Sequence, residues 1–467
     1  MARIHQLVFL SILACSSSAR AQPCAPIQPQ SLVEQPWTQL LGFGTAVDHE
    51  GSRAVIGGPG RSGAWMEGAA WVMEEELGTW RERAFLQPSE RAMQFGYAVA
   101  LYEDYLAVGA PAFFPQGQTG KVFLYHFNGT EWIERAVLTS PAEEPGDSFG
   151  YSVAVSESAL VVGAPGASGR SGNAYLFPLP IQELEGGILG VLSLRDHITQ
   201  SLEEFGHSVT ASGRFAAASG TRFGPVAIFE RGVSWHLVRT LQSPEGWQSL
   251  YFGRSIALHE SQLVVGNYKG GAGGVAHVFS RHDSGVWQEV AVLESPDPEH
   301  TDRFAWTVDV AEGRIGVAPR TGQISVFRGE GSTWDPAPRL VEPCDGGFRR
   351  DLSVGQHSVL VGSVAANAIF ALDERGTSTL ADPAAVTRDF GVEAFPNPST
   401  GGLTLIARSP SAVGSTVEIL DVLGRRVGRV TLSGRQTRVE TQDYARGLYL
   451  LVVTGRDGAQ LTTWVKR

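Results

Sequence analysis

A short phrase that recurs seven times constrains the fold of this chain more than any other feature. Each copy opens with phenylalanine, and in the first five copies glycine follows it. The copies occupy residues 43–47, 95–99, 149–153, 205–209, 252–256, 304–308 and 348–352. Successive copies are about fifty residues apart, and a period of that size is typical of β-propeller blades.

A second regularity indicates that each phrase opens a β-hairpin. Ten residues after the end of each phrase stands a small residue, namely Gly57, Gly109, Gly163, Ser219, Gly266, Ala318 and Gly362. Apolar runs such as 54–56 and 160–162 surround it, as expected for a strand buried on both faces. Because the spacing is constant while the residues between vary, the hairpin has a constant length with a short polar turn.

Two further strands complete each repeating unit. One follows a glycine and alternates in polarity, as in 120–125, 172–177 and 322–327. The other begins at a tryptophan and ends at a proline, as in 132–141, 235–244 and 287–296. Four strands form one propeller blade. The sequence therefore predicts an all-β, seven-bladed β-propeller over residues 22–372.

The seven phenylalanines of the phrase are predicted to be core residues. Each innermost strand approaches the propeller axis, where small residues let neighbouring backbones pass closely. The phenylalanine beside that point can fill the wedge between adjacent blades. Burying such a side chain contributes about 2 to 3 kcal/mol.

The two ends of the repeat region predict how the propeller closes. The seventh unit has only three strands, whereas residues 37–41 begin with Trp37 and are similar to the fourth strands. We therefore expect the N-terminal strand to complete the last blade. That arrangement brings Cys24 towards Cys344, and a disulfide between them would stabilise the fold by about 5 kcal/mol in the entropic treatment. Mass spectrometry of unreduced tryptic peptides would test the pairing.

The repeats resemble a known family. The Phe-Gly phrases, together with Val-Gly-Ala-Pro at 108–111 and 162–165, resemble the FG-GAP repeats of the integrin α-subunit propeller and its bacterial relatives. The resemblance covers roughly residues 37–372. Integrin-like repeats often carry a calcium loop of the form Asp-x-Asp-x-Asp-Gly, but the corresponding turn at 48–51 offers at most two carboxylates. We therefore expect no metal and no other cofactor.

The C-terminal part has a different organisation. Residues 373–392 lose the periodicity and are predicted to be a linker. Residues 393–467 contain several short alternating strands and predict a small immunoglobulin-like β-sandwich.

This C-terminal block resembles the type A sorting domain of the type IX secretion system. The residues that carry the resemblance are Pro396, Asn397, Pro398, Gly401, Asp421, Gly424, Gly447, Tyr449, Lys466 and Arg467. The resemblance implies recognition by the outer-membrane type IX translocon and removal by its sorting peptidase. It also implies that the protein reaches the extracellular space or the cell surface by way of the periplasm.

The N-terminal residues predict export as well. Arg3 and His5 precede the apolar run 7–14, and small residues follow at 19–21, so residues 1–21 are predicted to be a signal peptide. An alternative is a lipoprotein signal with acylated Cys15, although Leu13 fits that signal poorly. No later run of about twenty apolar residues occurs, so the mature chain is not expected to span a membrane.

Charge and motif content argue against two classes of function. The formal net charge is −11, and residues 390–467 are net basic, so the propeller region is more acidic still. Such a surface repels phosphate backbones and argues against a nucleic-acid partner. The eleven histidines are scattered, and the turn histidines His49, His259 and His357 are expected to be solvated. No nucleophile elbow, zinc-protease motif or phosphate loop is present.

Two functions of different class remain open. The first is a non-enzymatic binding or adhesion protein that contacts an extracellular protein or glycan through loop aromatics. The candidate contact residues are Trp65, Phe113, Phe114, Trp247 and Tyr268, although some of them could pack back against the propeller. The second is a secreted polysaccharide hydrolase or lyase. Carboxylates and histidine gathered at the axial mouth would favour the enzyme, whereas an aromatic face poor in carboxylates would favour the binding protein.

Overall fold

The structure is a computed structural model. It describes residues 42–466 except for 61–67, 77–78, 113–118, 143, 182, 185–186, 189, 201, 222–223, 245, 247–250, 272, 297–302, 321–323, 337–348, 356–357, 364–367, 374–391, 396–402, 408–412, 421–425, 440, 443 and 456–457. The predicted signal peptide, the alternative acylation site Cys15, the strand at 37–41, Cys24, Cys344 and most of the predicted linker therefore lie outside the described residues.

Antiparallel sheets follow one another along the chain, as the repeat predicts. Blade 1 comprises Ala46–Glu50, Arg53–Gly58, Ala69–Glu76 and Thr79–Leu86. Blade 2 comprises Ala98–Tyr102, Tyr105–Ala110, Lys121–Phe127 and Trp132–Thr139. Blade 3 comprises Ser152–Val155, Ala159–Ala164, Asn173–Pro178 and the short Leu192–Ser193. In each blade the strands pair in this order.

The remaining blades repeat the pattern. Blade 4 comprises Ser208–Ser212, Phe215–Ser219, Val226–Arg231 and Trp235–Leu241. Blade 5 comprises Ile256–His259, Gln262–Asn267, Val275–Arg281 and Trp287–Glu294. Blade 6 comprises Thr307–Ala311, Arg314–Ala318, Ser325–Glu330 and Thr333–Pro336.

The prediction of seven complete blades is wrong. Within the described residues, six sheets have the four strands of a blade, and the sheet after blade 6 has three, Arg349–Val354, Ser358–Ser363 and Ala368–Asp373. We call this the three-stranded sheet. The chain supplies no fourth strand to it among the described residues that follow Asp373. The coarser prediction of an all-β propeller is confirmed.

The three-stranded sheet lies between blade 6 and blade 1. The backbone N–H of Val47 in blade 1 donates to Asp351 Oδ2 at 2.9 Å, and that of His49 donates to Ser353 Oγ at 3.1 Å. On the other side, the backbone N–H of Val354 donates to Asp309 Oδ2 of blade 6 at 2.6 Å. These bonds join sheets that are far apart in sequence, so the arrangement is closed.

The phenylalanines of the repeat form the core between blades, as predicted for the six that are described. Phe43, Phe95, Phe149, Phe205, Phe252 and Phe304 are at most 4% exposed. Five of them make edge or tilted contacts with aromatic side chains of their own blade, such as Phe95 with Phe123 at 5.1 Å and Phe43 with Trp71 at 5.0 Å between ring centroids. The seventh, Phe348, lies outside the described residues.

The small residue of the second strand is required by the spacing between blades. A Cβ atom added at Gly109 would lie 2.1 Å from the carbonyl oxygen of Gly150, the Phe-Gly glycine of the next blade. A Cβ atom at Gly362 would lie 2.2 Å from Gly44 O in blade 1, so the same contact closes the propeller. Blade 4 has Ser219 instead, whose hydroxyl donates to Gly253 O at 2.5 Å.

Blade 3 departs most from the repeat. Its fourth strand has only two residues, and the hairpin of Glu183–Leu184 and Gly187–Ile188 precedes it. A turn at Ala167–Arg170, in which Ser168 and Gly169 have left-handed backbone angles, precedes the third strand, and a 3-10 turn at Arg195–His197 follows the fourth. No tryptophan marks the fourth strand here, which is why the sequence pattern does not locate it.

The C-terminal region contains two antiparallel sheets. One consists of Val392–Phe395, Leu403–Ala407 and Gln436–Val439, and the other of Arg426–Thr431, Thr416–Leu420, Gly447–Gly455 and Gly458–Lys466. Side chains from both sheets share a core that includes Leu405, Ile419 and Leu451. The immunoglobulin-like topology stays a prediction.

Two residues of the sorting motif have defined roles in this region. Lys466 Nζ donates to the carbonyl oxygens of Thr441, Gln442 and Tyr444, so it fastens the preceding loop to the last strand. Tyr449 is 5% exposed, and its hydroxyl donates to Ala445 O at 2.8 Å. Gly447 begins the long strand at 447–455. The motif residues Pro396, Asn397, Pro398, Gly401, Asp421, Gly424 and Arg467 lie outside the described residues.

Candidate functional site at the propeller axis

A cavity of about 800 Å³ lies where the innermost strands begin. All six blades and the three-stranded sheet contribute to its wall, so the cavity lies on the propeller axis. Most of the larger lining side chains are aromatic or basic: Tyr97, Tyr151, His207, Arg254, Arg303, Trp306 and Arg320. The volume falls within the range of about 300 to 1,000 Å³ that small-molecule sites occupy.

The third residue of each described phrase supplies much of this wall. In blades 1 to 5 the preceding glycine has a φ between +87° and +89°, a left-handed conformation that glycine adopts without strain. That turn places Thr45, Tyr97, Tyr151, His207, Arg254 and, after Ala305, Trp306 at successive positions around the cavity. The same local backbone therefore presents a different side chain from each blade.

His207 joins the side chains of blades 3 and 5. Its Nε2 lies 3.1 Å from Tyr151 Oη and 3.3 Å from Arg254 Nη1. A guanidinium can only donate, so Nε2 accepts and the proton of the neutral imidazole is on Nδ1. Burial, with a smaller contribution from Arg254, lowers the pKa of His207 to about 3, which agrees with a neutral ring. Burial also raises the pKa of the Tyr151 hydroxyl.

Three guanidinium groups surround one indole. The Cζ atoms of Arg254, Arg303 and Arg320 lie 3.9, 5.5 and 5.8 Å from the centroid of a Trp306 ring. These distances are in the range of cation–π contacts, which are worth about 0.5 to 2 kcal/mol each. Tyr268 packs against the same indole at 4.8 Å and against Tyr251 at 4.5 Å. We call Arg254, Arg303 and Arg320 the arginine side of the cavity.

Buried carboxyl groups lie between the three-stranded sheet and its neighbours. Asp351 borders the cavity, and its two oxygens accept the backbone N–H groups of Val47 and Leu352. Burial raises the pKa of Asp351 to about 7 and that of Asp48 to about 6, and it raises the pKa of Asp309 well above its ordinary value. Among the described residues, no group of three or more His, Cys, Asp or Glu side chains has metal-binding geometry.

The structure describes only one of the loop aromatics that the sequence singles out. Tyr268 is 7% exposed and packs back against Tyr251 and Trp306, beside the axial cavity. Trp65, Phe113, Phe114 and Trp247 lie outside the described residues.

The expectation that His49 is solvated is wrong. His49 lies in the first strand of blade 1, is 6% exposed and places its two ring nitrogens 2.8 Å from Ser353 Oγ and 3.1 Å from Ser358 Oγ. Burial lowers its pKa to about 4. The strand extends further than the polar sequence Asp-His-Glu suggests, because the neighbouring sheet supplies partners for these side chains. His357 lies outside the described residues.

Sequence reasoning missed the third residue of the phrase. The constant phenylalanine and glycine of the phrase indicate the core. The cavity wall is formed by the third position, which differs from copy to copy. The signal is present in the sequence: within an otherwise constant phrase, this position reads Thr, Tyr, Tyr, His, Arg, Trp and Arg. Arg303 and Arg320 lie outside the phrase and come to the cavity only through the fold.

The fold and this cavity define a β-propeller that presents a shared pocket on its axis, followed by a separate β-domain. Residues 132–177 match the profile of the FG-GAP repeat, from the fourth strand of blade 2 to the third strand of blade 3. Residues 393–467 match the profile of the secretion system C-terminal sorting domain. The chain thus contains an FG-GAP repeat within a β-propeller and a C-terminal sorting domain, which confirms both resemblances.

Solved structures that this chain matches include PorZ, described as an essential bacterial surface component of the type-IX secretion system of Porphyromonas gingivalis. The identity is 13% and the TM-score 0.34, over 89% of this chain and 64% of PorZ. The β-propeller domain of Myceliophteria thermophila Cps50 (Swd1) has 11% identity and a TM-score of 0.49, over 71% of this chain and 96% of that domain. A chain of the mitotic checkpoint complex has 12% identity and a TM-score of 0.49, over 79% of this chain and 98% of that one. No curated protein matches the sequence significantly.

The sorting domain determines where the protein works. It directs export to the extracellular space or the cell surface and implies an interaction with the secretion machinery. In the part of the chain that the structure describes, no helix has the length and apolar character needed to cross a bilayer.

Proposed function

We propose that this protein is a non-enzymatic binding or adhesion protein of the cell surface or the extracellular space, with the propeller as the scaffold for its ligand. The observation that carries the proposal is the axial cavity, which aromatic and guanidinium groups from different blades line together. Aromatic residues and arginine are the side chains most enriched at sites of strong binding. The ligand is an extracellular glycan or protein.

The chemistry of the cavity favours binding over catalysis. A general acid or base needs a pKa near the working pH and a free position beside the substrate. The low pKa of His207 keeps its ring neutral, and its Nε2 already accepts bonds from two neighbours. The pKa of Asp351, about 7, meets the first requirement, but both of its oxygens accept backbone N–H groups and so do not meet the second. These groups hold the cavity in shape, and neither is placed as a proton donor or acceptor for a substrate.

One arrangement favours the alternative of a polysaccharide lyase. Tyr151, His207 and Arg254 form a hydrogen-bonded chain at the cavity wall, and a lyase needs a proton acceptor beside a cation that neutralises a uronate. The two functions give different results when the protein is incubated with acidic polysaccharides. A lyase releases fragments with unsaturated uronate ends that absorb ultraviolet light, whereas a binding protein leaves chain length and absorbance unchanged.

The loop aromatics of the propeller are proposed as a second contact surface. Alanine at Trp65, Phe113 and Trp247 together is expected to abolish adhesion of the protein to cells or to a glycan array without lowering its melting temperature. Alanine at Trp334, a half-buried tryptophan on the last strand of blade 6, is the control for the loss of a large aromatic side chain. Unchanged adhesion of the triple variant would remove the loops from the binding surface. Failure of the wild-type protein to bind any cell, matrix protein or glycan would overturn the proposed function.

The C-terminal domain is proposed as the export and attachment signal, recognised by the outer-membrane type IX translocon and removed by its sorting peptidase. In this proposal residues 1–21 are the signal peptide, 22–372 the propeller, 373–392 the linker and 393–467 the sorting domain. Residues 37–41 are proposed to pair with the three-stranded sheet as its outermost strand.

Deleting residues 393–467 is expected to hold the propeller in the periplasm, because the signal peptide alone directs passage across the inner membrane only. Fractionation of the producing cells followed by immunoblotting measures the distribution. The full-length protein should appear in the medium or on the surface and the truncated protein in the periplasm. Secretion of the truncated propeller would show that the sorting function lies elsewhere.

A further inference from the structure

The guanidinium of Arg254 is a partly buried charge that has no acidic partner among the described residues. Among the described residues no carboxylate lies within salt-bridge distance of it; its neighbours are His207, the indole of Trp306 and tyrosines. Its Nε–H is buried and makes no hydrogen bond to any described residue. Burial lowers the pKa of this guanidinium, because removing the charged form from water costs free energy. A buried charge of this kind is normally paired.

Two more guanidiniums share the same wall. Arg303 and Arg320 contact the indole that Arg254 contacts, so three positive groups converge on one side of the cavity. The protein as a whole carries a net charge of −11, so general composition does not explain this concentration of arginine. Arginine is the side chain most often used to bind carboxylate and other oxyanion groups, because its guanidinium offers two parallel N–H donors.

The rest of the wall suits a sugar. The ring centroids of Tyr97 and Tyr151 lie 5.2 Å apart on the side contributed by blades 2 and 3, and aromatic faces pack against the apolar faces of pyranose rings. Ser208 and Ser255 also line the cavity, and each hydroxyl accepts a backbone N–H from the next blade. A serine that accepts in this way still has its own O–H to donate to a ligand hydroxyl.

We propose that the axial cavity binds an acidic sugar residue, carboxylated or sulfated, with its anionic group against Arg254, Arg303 and Arg320. This assignment rests on the proposed binding function and names the ligand class of its axial site. An acidic peptide offers the same carboxylate, but it lacks the ring faces and the set of hydroxyls for which the remaining wall is suited.

Calorimetric titration of the full-length mature protein tests the proposal. The probes are a short oligogalacturonate, a sulfated disaccharide, a neutral cello-oligosaccharide of matched length and an oligoglutamate peptide. We expect at least one acidic sugar to bind and the neutral one not to bind, with an affinity that falls as salt rises. Comparison of the first two probes separates recognition of a carboxylate from recognition of a sulfate.

Two substitutions on the arginine side place the binding in the cavity. Arg254→Gln and Arg320→Gln are each expected to weaken binding of the acidic sugar about tenfold or more, since each removes a charge-assisted contact. The matched control is Arg239→Gln, which removes the same charge from an exposed position on the outer strand of blade 4. Because Arg320 is a second, separate member of the arginine side, its variant keeps the test valid if Arg254→Gln fails to fold.

Three results would overturn the assignment. The first is equal affinity of the acidic sugar for all three variants, and the second is binding of the peptide without binding of either acidic sugar. The third is the absence of acidic-sugar binding by a wild-type protein that still adheres to cells or to other glycans. In that third case the proposed binding function stands while the axial ligand class is wrong, so the two failures are distinguishable.

Discussion

The Gly163→Ala variant is expected to lose about 3 kcal/mol or more of the free energy of unfolding. The added Cβ atom would lie 1.9 Å from the carbonyl oxygen of Gly206 in the next blade and 2.3 Å from Ser152 Oγ. Carbon and oxygen atoms that are not bonded do not approach this closely, so one of the two blades has to move.

The carbonyl oxygen of Gly206 cannot move away without further loss. It accepts the hydroxyl of Ser152 at 2.8 Å, and the N–H of the same glycine donates to Ser219 O at 3.0 Å. Because the blades form a closed arrangement, widening the gap between blades 3 and 4 also disturbs the packing of the others. The substitution therefore adds one methyl group but strains several contacts, which is why the expected loss exceeds that of an ordinary core substitution.

Urea unfolding of the full-length protein, followed by circular dichroism, measures the effect. Gly273→Ala is the matched control, since a Cβ atom there would meet nothing within 4 Å. Ser219→Ala is a second comparison: it keeps a Cβ atom at the equivalent position of blade 4 and loses only a hydrogen bond worth about 1 kcal/mol. If Gly163→Ala unfolds at the same urea concentration as Gly273→Ala, the close approach of the blades is wrong.

The same contact explains how much of the fold the sequence reveals. A residue that every blade must share, such as the phenylalanine or the small residue ten positions after the phrase, repeats because the same wedge and the same close approach recur in each blade. These constraints predict the hairpins, the strand order and the core. The fourth strand is harder to predict where the repeat is irregular. In blade 3 it has only two residues, Leu192–Ser193, and lacks the tryptophan that begins it in other blades.

The candidate site could not be predicted in the same way. Its side chains come from a position that differs between copies and from Arg303 and Arg320, which only the folded propeller brings to Trp306. The sequence also does not predict the burial of His49 and Asp48. Their strand is polar and resembles a turn, and only the folded protein brings Ser353 of the three-stranded sheet to them as a partner. Repetition therefore reveals the scaffold, and departure from repetition marks the places where function is to be sought.

The Asp48→Asn variant is expected to gain stability relative to the wild-type protein as the pH rises. Between pH 4 and pH 8, the difference between their free energies of unfolding should shift in favour of the variant by up to about 3 kcal/mol. Burial raises the pKa of Asp48 from 3.8 to about 6 in the folded protein. The folded protein therefore holds a proton that the unfolded chain releases. The stabilisation from this carboxyl group is fully present below pH 4 and is lost as the pH rises through 6.

Asparagine preserves the local hydrogen bonds while removing the buried charge. Its carbonyl oxygen can accept the N–H of Leu101, as Asp48 Oδ2 does at 2.8 Å, and its amide can donate to Ser353 Oγ, which lies 3.2 Å from Asp48 Oδ1. The wild-type protein is the reference because His49 and His207 also make stability depend on pH, in the opposite direction to Asp48. Their effect is the same in both proteins and cancels in the difference. Burial lowers their pKa values to about 4 and about 3, so their stabilisation is lost as the pH falls below about 6.5.

Urea unfolding of both proteins at several values between pH 4 and pH 8 measures this difference. Asp104→Asn controls for the loss of one negative charge, since that carboxylate lies half-exposed on the surface against Arg53. The gain from Asp48→Asn should grow steadily from pH 4 to about pH 7 and then level off, because ionisation of the buried carboxyl in the folded wild-type protein is then complete. A constant difference in the free energy of unfolding across this range would show that Asp48 titrates at its ordinary pKa. The region between blade 1, blade 2 and the three-stranded sheet would then be more open to water than it is in the structure.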